Sequence, residues 1–170
     1  MRLFEVERVG RRVRYWTVAV IGAAGLVLAG VQAVDAQQAA SRLVGTWSGN
    51  GAVSFADGQR ELISCRAYYT KQSAELGMAF RCASPSYKIE IRSTLDVQGG
   101  QVSGDWEERT FNARGNVAGA ASSDSLDLKV TGGGFEGEMT VRHSGGVQTV
   151  EIDARGLRLK NVSVRLARSN

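Results

Sequence analysis

The chain has 170 residues, a formal net charge of +4, 21 glycines, one proline, two cysteines and one histidine. That length suits one domain around one hydrophobic core, and a single histidine with two cysteines excludes the usual multi-histidine zinc sites. Five arginines and three acids precede residue 37, so the remainder carries sixteen basic and fourteen acidic residues; these alternate in sign without forming a basic stripe, which argues against nucleic acid as a partner.

Residues 1–36 read as a secretory signal peptide. Arg2, Arg8, Arg11, Arg12 and Arg14 make a basic start, Thr17 to Val31 is an uncharged, mostly apolar run of 15, and Val34-Asp35-Ala36 places small residues where a signal peptidase cuts. Cleavage is expected after Ala36, with Ala33 the alternative. A membrane anchor is the competing reading, but 15 residues fall short of the roughly 20 that a spanning helix needs. Arg11-Arg12 leaves the twin-arginine route open beside general secretion. No cysteine stands near the cut to carry a lipid, so the product is expected in the periplasm or outside the cell, with no stable membrane anchor.

Residues 37–44 follow as a short tail, and 45–170 as a single all-β domain. Frequent glycine and the alternation of apolar with polar residues predict about ten short strands, near 45–54, 60–70, 75–83, 87–97, 101–109, 113–121, 125–131, 134–143, 147–153 and 157–168. A meander of that length avoids two open edges by curling until its first and last strands pair, with a strongly coiled open sheet as the alternative.

The register follows from the turns. A hairpin about Ser73-Ala74 sets Cys65 opposite Cys82, Ala67 opposite Phe80 and Tyr69 opposite Met78. Directly opposed antiparallel residues lie within disulfide reach, and an oxidising compartment makes these cysteines a structural bridge; a redox-active pair is the alternative, without the Cys-X-X-Cys spacing it needs. A four-residue loop at Ser84 to Tyr87 brings Phe80 to Ile91 and Arg81 to Glu90. Gly99-Gly100 pairs Val97 with Val102, Arg92 with Glu107 and Glu90 with Arg109. Ser122 to Ser125 sets Val117 against Val130, Thr131 to Gly134 sets Val130 against Phe135, and Gly145-Gly146 sets Val141 against Val150 and Met139 against Ile152. Two facing pairs, Arg66 with Arg81 and Glu138 with Asp153, repel unless a third strand supplies a partner. A parity change within 157–166 requires a bulge near Lys160-Asn161.

Gly45-Thr46-Trp47 opening the first strand, with Arg168 on the apolar parity of the last, resembles the calycin group, the lipocalins and their relatives. The resemblance implies a closed barrel in which Trp47 and Arg168 form a structural pair sealing one end, and a short helix before the final strand. The same start, with one disulfide soon after it, is similar to the bacterial periplasmic metalloprotease inhibitors, which implies that Gln37 to Arg42 would enter a protease cleft. The chain also looks like small exported β proteins of alphaproteobacteria, a likeness that brings no activity with it.

The inner face is expected to carry Trp47, Tyr69, Phe80, Trp106 and Met139, with Glu108 and His143 on the same parity near strand ends. Together these are the candidate ligand-binding residues. Two readings stay open: an apolar ligand cavity whose polar ends Glu108 and His143 orient, or a packed core with wet strand ends. Inward Gly104, Gly119 and Gly137 either leave room or mark sharp coiling. A serine hydrolase needs a Gly-X-Ser-X-Gly elbow, and none occurs; no catalytic residue, metal site or cofactor is indicated. The expected role is the binding of a small apolar or amphipathic ligand. The alternative is a protein-interaction module such as a periplasmic protease inhibitor, which a filled interior would favour.

Overall fold

Alternation with a period of two gives ten antiparallel strands in the computed structural model, which describes residues 37–169. The signal peptide expected over residues 1–36, with its cleavage points, falls outside the described residues. The strands are β1 (Gly45–Phe55), β2 (Arg60–Gln72), β3 (Glu75–Ala83), β4 (Lys88–Gln98), β5 (Gln101–Glu108), β6 (Ala113–Ala121), β7 (Ser125–Gly132), β8 (Phe135–Ser144), β9 (Val147–Arg155) and β10 (Leu159–Ser169). Each pairs with its neighbours in sequence, and β1 closes on β10, so no sheet edge is left open.

Most registers follow the turns. Cys65 faces Cys82 and Phe80 faces both Ala67 and Ile91. Val97 faces Val102, Val117 faces Val130 and Met139 faces Ile152. The sulfurs of Cys65 and Cys82 are bonded across one rung, with Cα atoms 4.1 Å apart. The parity change in β10 is a bulge at Lys160, since Ser54 pairs with Asn161 and Phe55 with Leu159.

One register differs from expectation. Val130 faces Gly137, and Gly132 faces Phe135. Gly133 and Gly134 both take positive φ (61° and 80°), which permits a two-residue type I′ turn in place of the four-residue loop. The shift is by two residues, so every side chain keeps its face.

The charges settle differently too. Arg92 faces Glu107, yet its guanidinium lies 2.7 Å from Glu90 on its own strand. Glu90 also takes Arg81 at 3.3 Å, which relieves the Arg66/Arg81 rung. Arg109 turns to Glu107 at 4.0 Å rather than to Glu90. Glu138 and Asp153 do face each other, but Lys129 stands across from Glu138, and the Asn161 side-chain amide donates to Asp153 at 3.0 Å.

The segment expected as a tail is a helix, α1 (residues 37–43), laid across one barrel end with Ala39, Ala40 and Leu43 buried. Of the described residues these alone are helical, so the helix implied before the final strand is not there. The α1 end holds the most fully buried side chains of the core, Trp47, Leu76, Leu95 and Leu166 among them. At the other end, called here the open end, Ile91, Val130, Phe135, Ile152 and Val162 face inward but are only partly buried.

Candidate functional site

The α1 end is locked by the residues of the calycin resemblance. The Arg168 guanidinium lies 4.4 Å from the Trp47 ring centroid and donates to the carbonyls of Val44 (2.7 Å) and Arg42 (2.6 Å). The Trp47 indole N–H donates to the Leu43 carbonyl at 2.7 Å. Together they satisfy carbonyls that the end of α1 leaves unpaired. His143 on β8 packs edge-on against Trp47, with ring centroids 5.3 Å apart.

Beneath this seal lies an electrostatic oddity. Gln148 on β9 faces His143 across the rung and is wholly buried, with no hydrogen-bond partner for either its amide nitrogen or its oxygen. Tyr69 Oη comes in beside the Gln148 amide without making a hydrogen bond of sound geometry, and His143 Nε2 also lacks a partner. Burial pushes the Tyr69 hydroxyl far above its usual range. Burial, helped by Arg168 and Arg42, holds the His143 imidazole below its usual value and therefore neutral near pH 7. Four polar atoms on three inner side chains thus stand unpartnered in an apolar tube, against the strong tendency of buried polar groups to pair.

The other candidate residues lie elsewhere. Phe80 and Met139 are buried in the middle of the barrel, Phe80 packing edge-on against Tyr69 at 6.1 Å. Trp106 lies towards the open end, where its indole N–H donates to the Thr131 carbonyl at 3.0 Å and its ring meets Phe135 edge-on at 5.3 Å. Glu108 does not reach the other candidates. Its oxygens accept the backbone N–H groups of Phe111 (2.6 Å), Thr110 (3.0 Å) and Glu90 (3.2 Å). Burial alone would raise its carboxyl, but these bonds outweigh burial and leave it below the usual carboxylate range. Glu108 is the clamp of the β5–β6 turn. Gln148 was absent from the candidates, although it is a polar residue on the inner parity of an otherwise apolar strand and faces His143.

The interior is filled rather than hollow. A gap of about 10 Å³ lies between α1 and the β6–β7 turn, bounded by Leu43, Ser123, Leu126 and His143, room for about one water. A second hollow of about 40 Å³ is on the outer wall, between Lys129, Glu136 and Arg155. Gly104 and Gly119 mark coiling, not spare room: a Cβ at either would fall about 2.1 Å from a carbonyl oxygen of the next strand.

Solved structures share this architecture. Rv2717c from M. tuberculosis superposes with a TM-score of 0.64 at 15% identity, covering 79% of this chain and 98% of its own. The S-type phycobiliprotein lyase CPES from Guillardia theta gives 0.60 at 12% identity, covering 87% and 99%. The fold is that of a calycin-like barrel. Identities this low establish the calycin-like fold and nothing finer. No protein-family model matches the chain, and no curated protein does.

Proposed function

We propose that this chain is an exported binding protein that takes a small amphipathic molecule through the open end of the barrel and holds its polar group against Tyr69, Gln148 and His143. The four unpartnered polar atoms carry this reading. Each buried polar group without a partner costs about 1–3 kcal/mol, and a guest that both donates and accepts would relieve that cost. An apolar lining with a few converging polar groups is the usual form of a small-molecule site.

Space would come from rotation of Met78 and Met139, unbranched thioethers in the mid-barrel that repack readily, together with Phe80. Entry belongs to the open end, because Arg168 and Trp47 pin α1 across the other. Phe135 and Ile152, partly exposed there, form the threshold. The disulfide is consistent with an oxidising compartment, and no helix among the described residues is long and apolar enough to cross a membrane. That one structural neighbour is a phycobiliprotein lyase is compatible with a small-molecule role, while 12% identity transfers no activity.

The filled interior favours the alternative, a protein-interaction module such as a protease inhibitor acting through Gln37 to Arg42, but that segment is not free. Ala39 and Ala40 are buried against the barrel, so the segment would have to detach before entering a cleft. Native mass spectrometry of protein taken from its own host tests the ligand reading. A lipid-sized adduct is expected, reduced in a variant carrying Tyr69→Phe and Gln148→Met. A clean apo mass from gently handled protein would overturn it.

A further inference from the structure

The two ends of the barrel differ in charge as well as in closure. At the open end, the turns and the residue on either side of each carry Arg60, Lys88, Arg109, Arg155 and Arg158, all exposed, against one exposed acid, Asp57. Hairpin turns at the α1 end, counted the same way, carry no basic residue and two acids, Glu75 and Asp124, which the exposed Arg42 and Arg168 offset, so that end is near neutral. Arg158 is occupied by Asp57 at 2.6 Å and Arg109 weakly by Glu107 at 4.0 Å. Among the described residues, Arg60, Lys88 and Arg155 make no ion pair. Of the acids of this half, Glu107, Glu136 and Asp153 lie back on the strands of the barrel wall, while Glu61 reaches the rim, where its carboxylate accepts the Ser86 N–H at 3.4 Å.

Two turns of the same end also present apolar tips. Phe111 is 64% exposed at the crest of the β5–β6 turn, between Arg109 and Arg114; Leu157 is 48% exposed at the crest of the β9–β10 turn, between Arg155 and Arg158. In the cyclic strand order the two crests stand two turns apart among the five turns of this end, so they flank the barrel mouth from well-separated parts of one rim. An exposed phenyl and an exposed isobutyl, each flanked by arginines, suit an interface where apolar groups enter acyl chains and cations meet anionic headgroups.

We infer that the open end docks on an anionic lipid surface through Phe111, Leu157 and the surrounding arginines. Docking there stands apart from the ligand reading, because it uses the rim and none of the inner side chains. It would nevertheless set the barrel mouth against a source of amphipathic molecules.

Flotation of the exported protein with vesicles tests this, using phosphatidylcholine alone and phosphatidylcholine mixed equally with phosphatidylglycerol. Binding is expected to the mixed vesicles at low salt, weaker by about tenfold or more on the neutral ones, and largely lost at about 1 M salt. Phe111→Ser with Leu157→Ser, and separately Arg109→Glu with Arg155→Glu, should each lower binding by about tenfold without lowering the melting temperature. Parent and variants carry the same N-terminus, so any contribution from an uncleaved leader cancels in the comparison. Equal binding to both vesicle types, unchanged binding by both variants, or capture of a protein by this end with no vesicle binding would each overturn the inference.

Discussion

Replacing Gln148 by Met should make the empty protein more stable, the reverse of what most changes at a wholly buried position do. The Gln148 amide contributes two of the four unpartnered atoms. Methionine keeps the length of the side chain and its unbranched stem while deleting both polar atoms. An unsatisfied buried group costs about 1–3 kcal/mol, whereas apolar replacements of similar shape are nearly neutral or stabilising. A gain of at least about 1 kcal/mol is therefore expected, which raises the melting temperature of a domain this size by about 3–5 °C. The measurement is urea and thermal unfolding of delipidated protein, beside the adduct mass of undelipidated protein. Stability should rise while adduct retention falls, the signature of a polar group kept for a guest at the expense of the empty fold. Tyr69→Phe should act in the same direction with a smaller gain, and the two will not add because the groups are neighbours. If Gln148→Met lowers the melting point by several degrees, the amide has an internal partner such as an ordered water, and the polar-anchor reasoning fails.

Removing the bridge with Cys65→Ala and Cys82→Ala should cost about 3 kcal/mol by loop-closure entropy for the 17-residue separation, read as a lower urea midpoint that reductant no longer changes. Arg168→Ala loses the contact with Trp47 and both bonds to the end of α1; a loss of about 2–3 kcal/mol is expected, with faster proteolytic cutting within residues 37–43. Arg168→Lys should restore less than half of it, because an ammonium lacks the planar fork. His143 has a folded value below its ordinary 6.5, so the unfolded chain takes up the proton first. Stability is then full above about pH 6.5 and falls as the pH drops from there towards the lowered value. A melting-temperature series should show that slope and His143→Gln should flatten it; an unchanged slope would place the titration elsewhere. Glu108, also lowered, contributes stability that is present above its ordinary 4.5 and lost as the pH falls through its folded value. Glu108→Gln should lower stability at neutral pH and shrink the loss below that range.

Parity, turn chemistry and the cysteine rung were legible in the sequence because each is local. An antiparallel hairpin fixes its register from the few residues of its turn, and apolar alternation then checks the result over a whole strand. Cys65 opposite Cys82, Phe80 opposite Ile91 and the bulge at Lys160 all follow from such short-range constraints. The β7–β8 register escaped because Thr131 to Gly134 supports two turn lengths, both of which leave the apolar residues on the same face. The Arg81–Glu90 pair was legible from the register, but the partners of Arg92 and Arg109 escaped, because facing positions fix distance while long arginine side chains choose among several acids, and Glu90 collects Arg92 as well.

What only the tertiary structure decided is whatever depends on the barrel closing. Residues 37–43 are too few to hold a helix in water by themselves; they hold one where Arg168, from the far end of the chain, takes their terminal carbonyls. Glu108 was consumed by its own turn, and Gln148 acquired significance only when closure brought it beside Tyr69 and His143. Whether the interior is hollow or filled depends on how tightly ten strands coil and on how side chains from opposite walls interlock. Alternation assigns a residue to the inside, but the space that residue meets is set by strands from the rest of the chain.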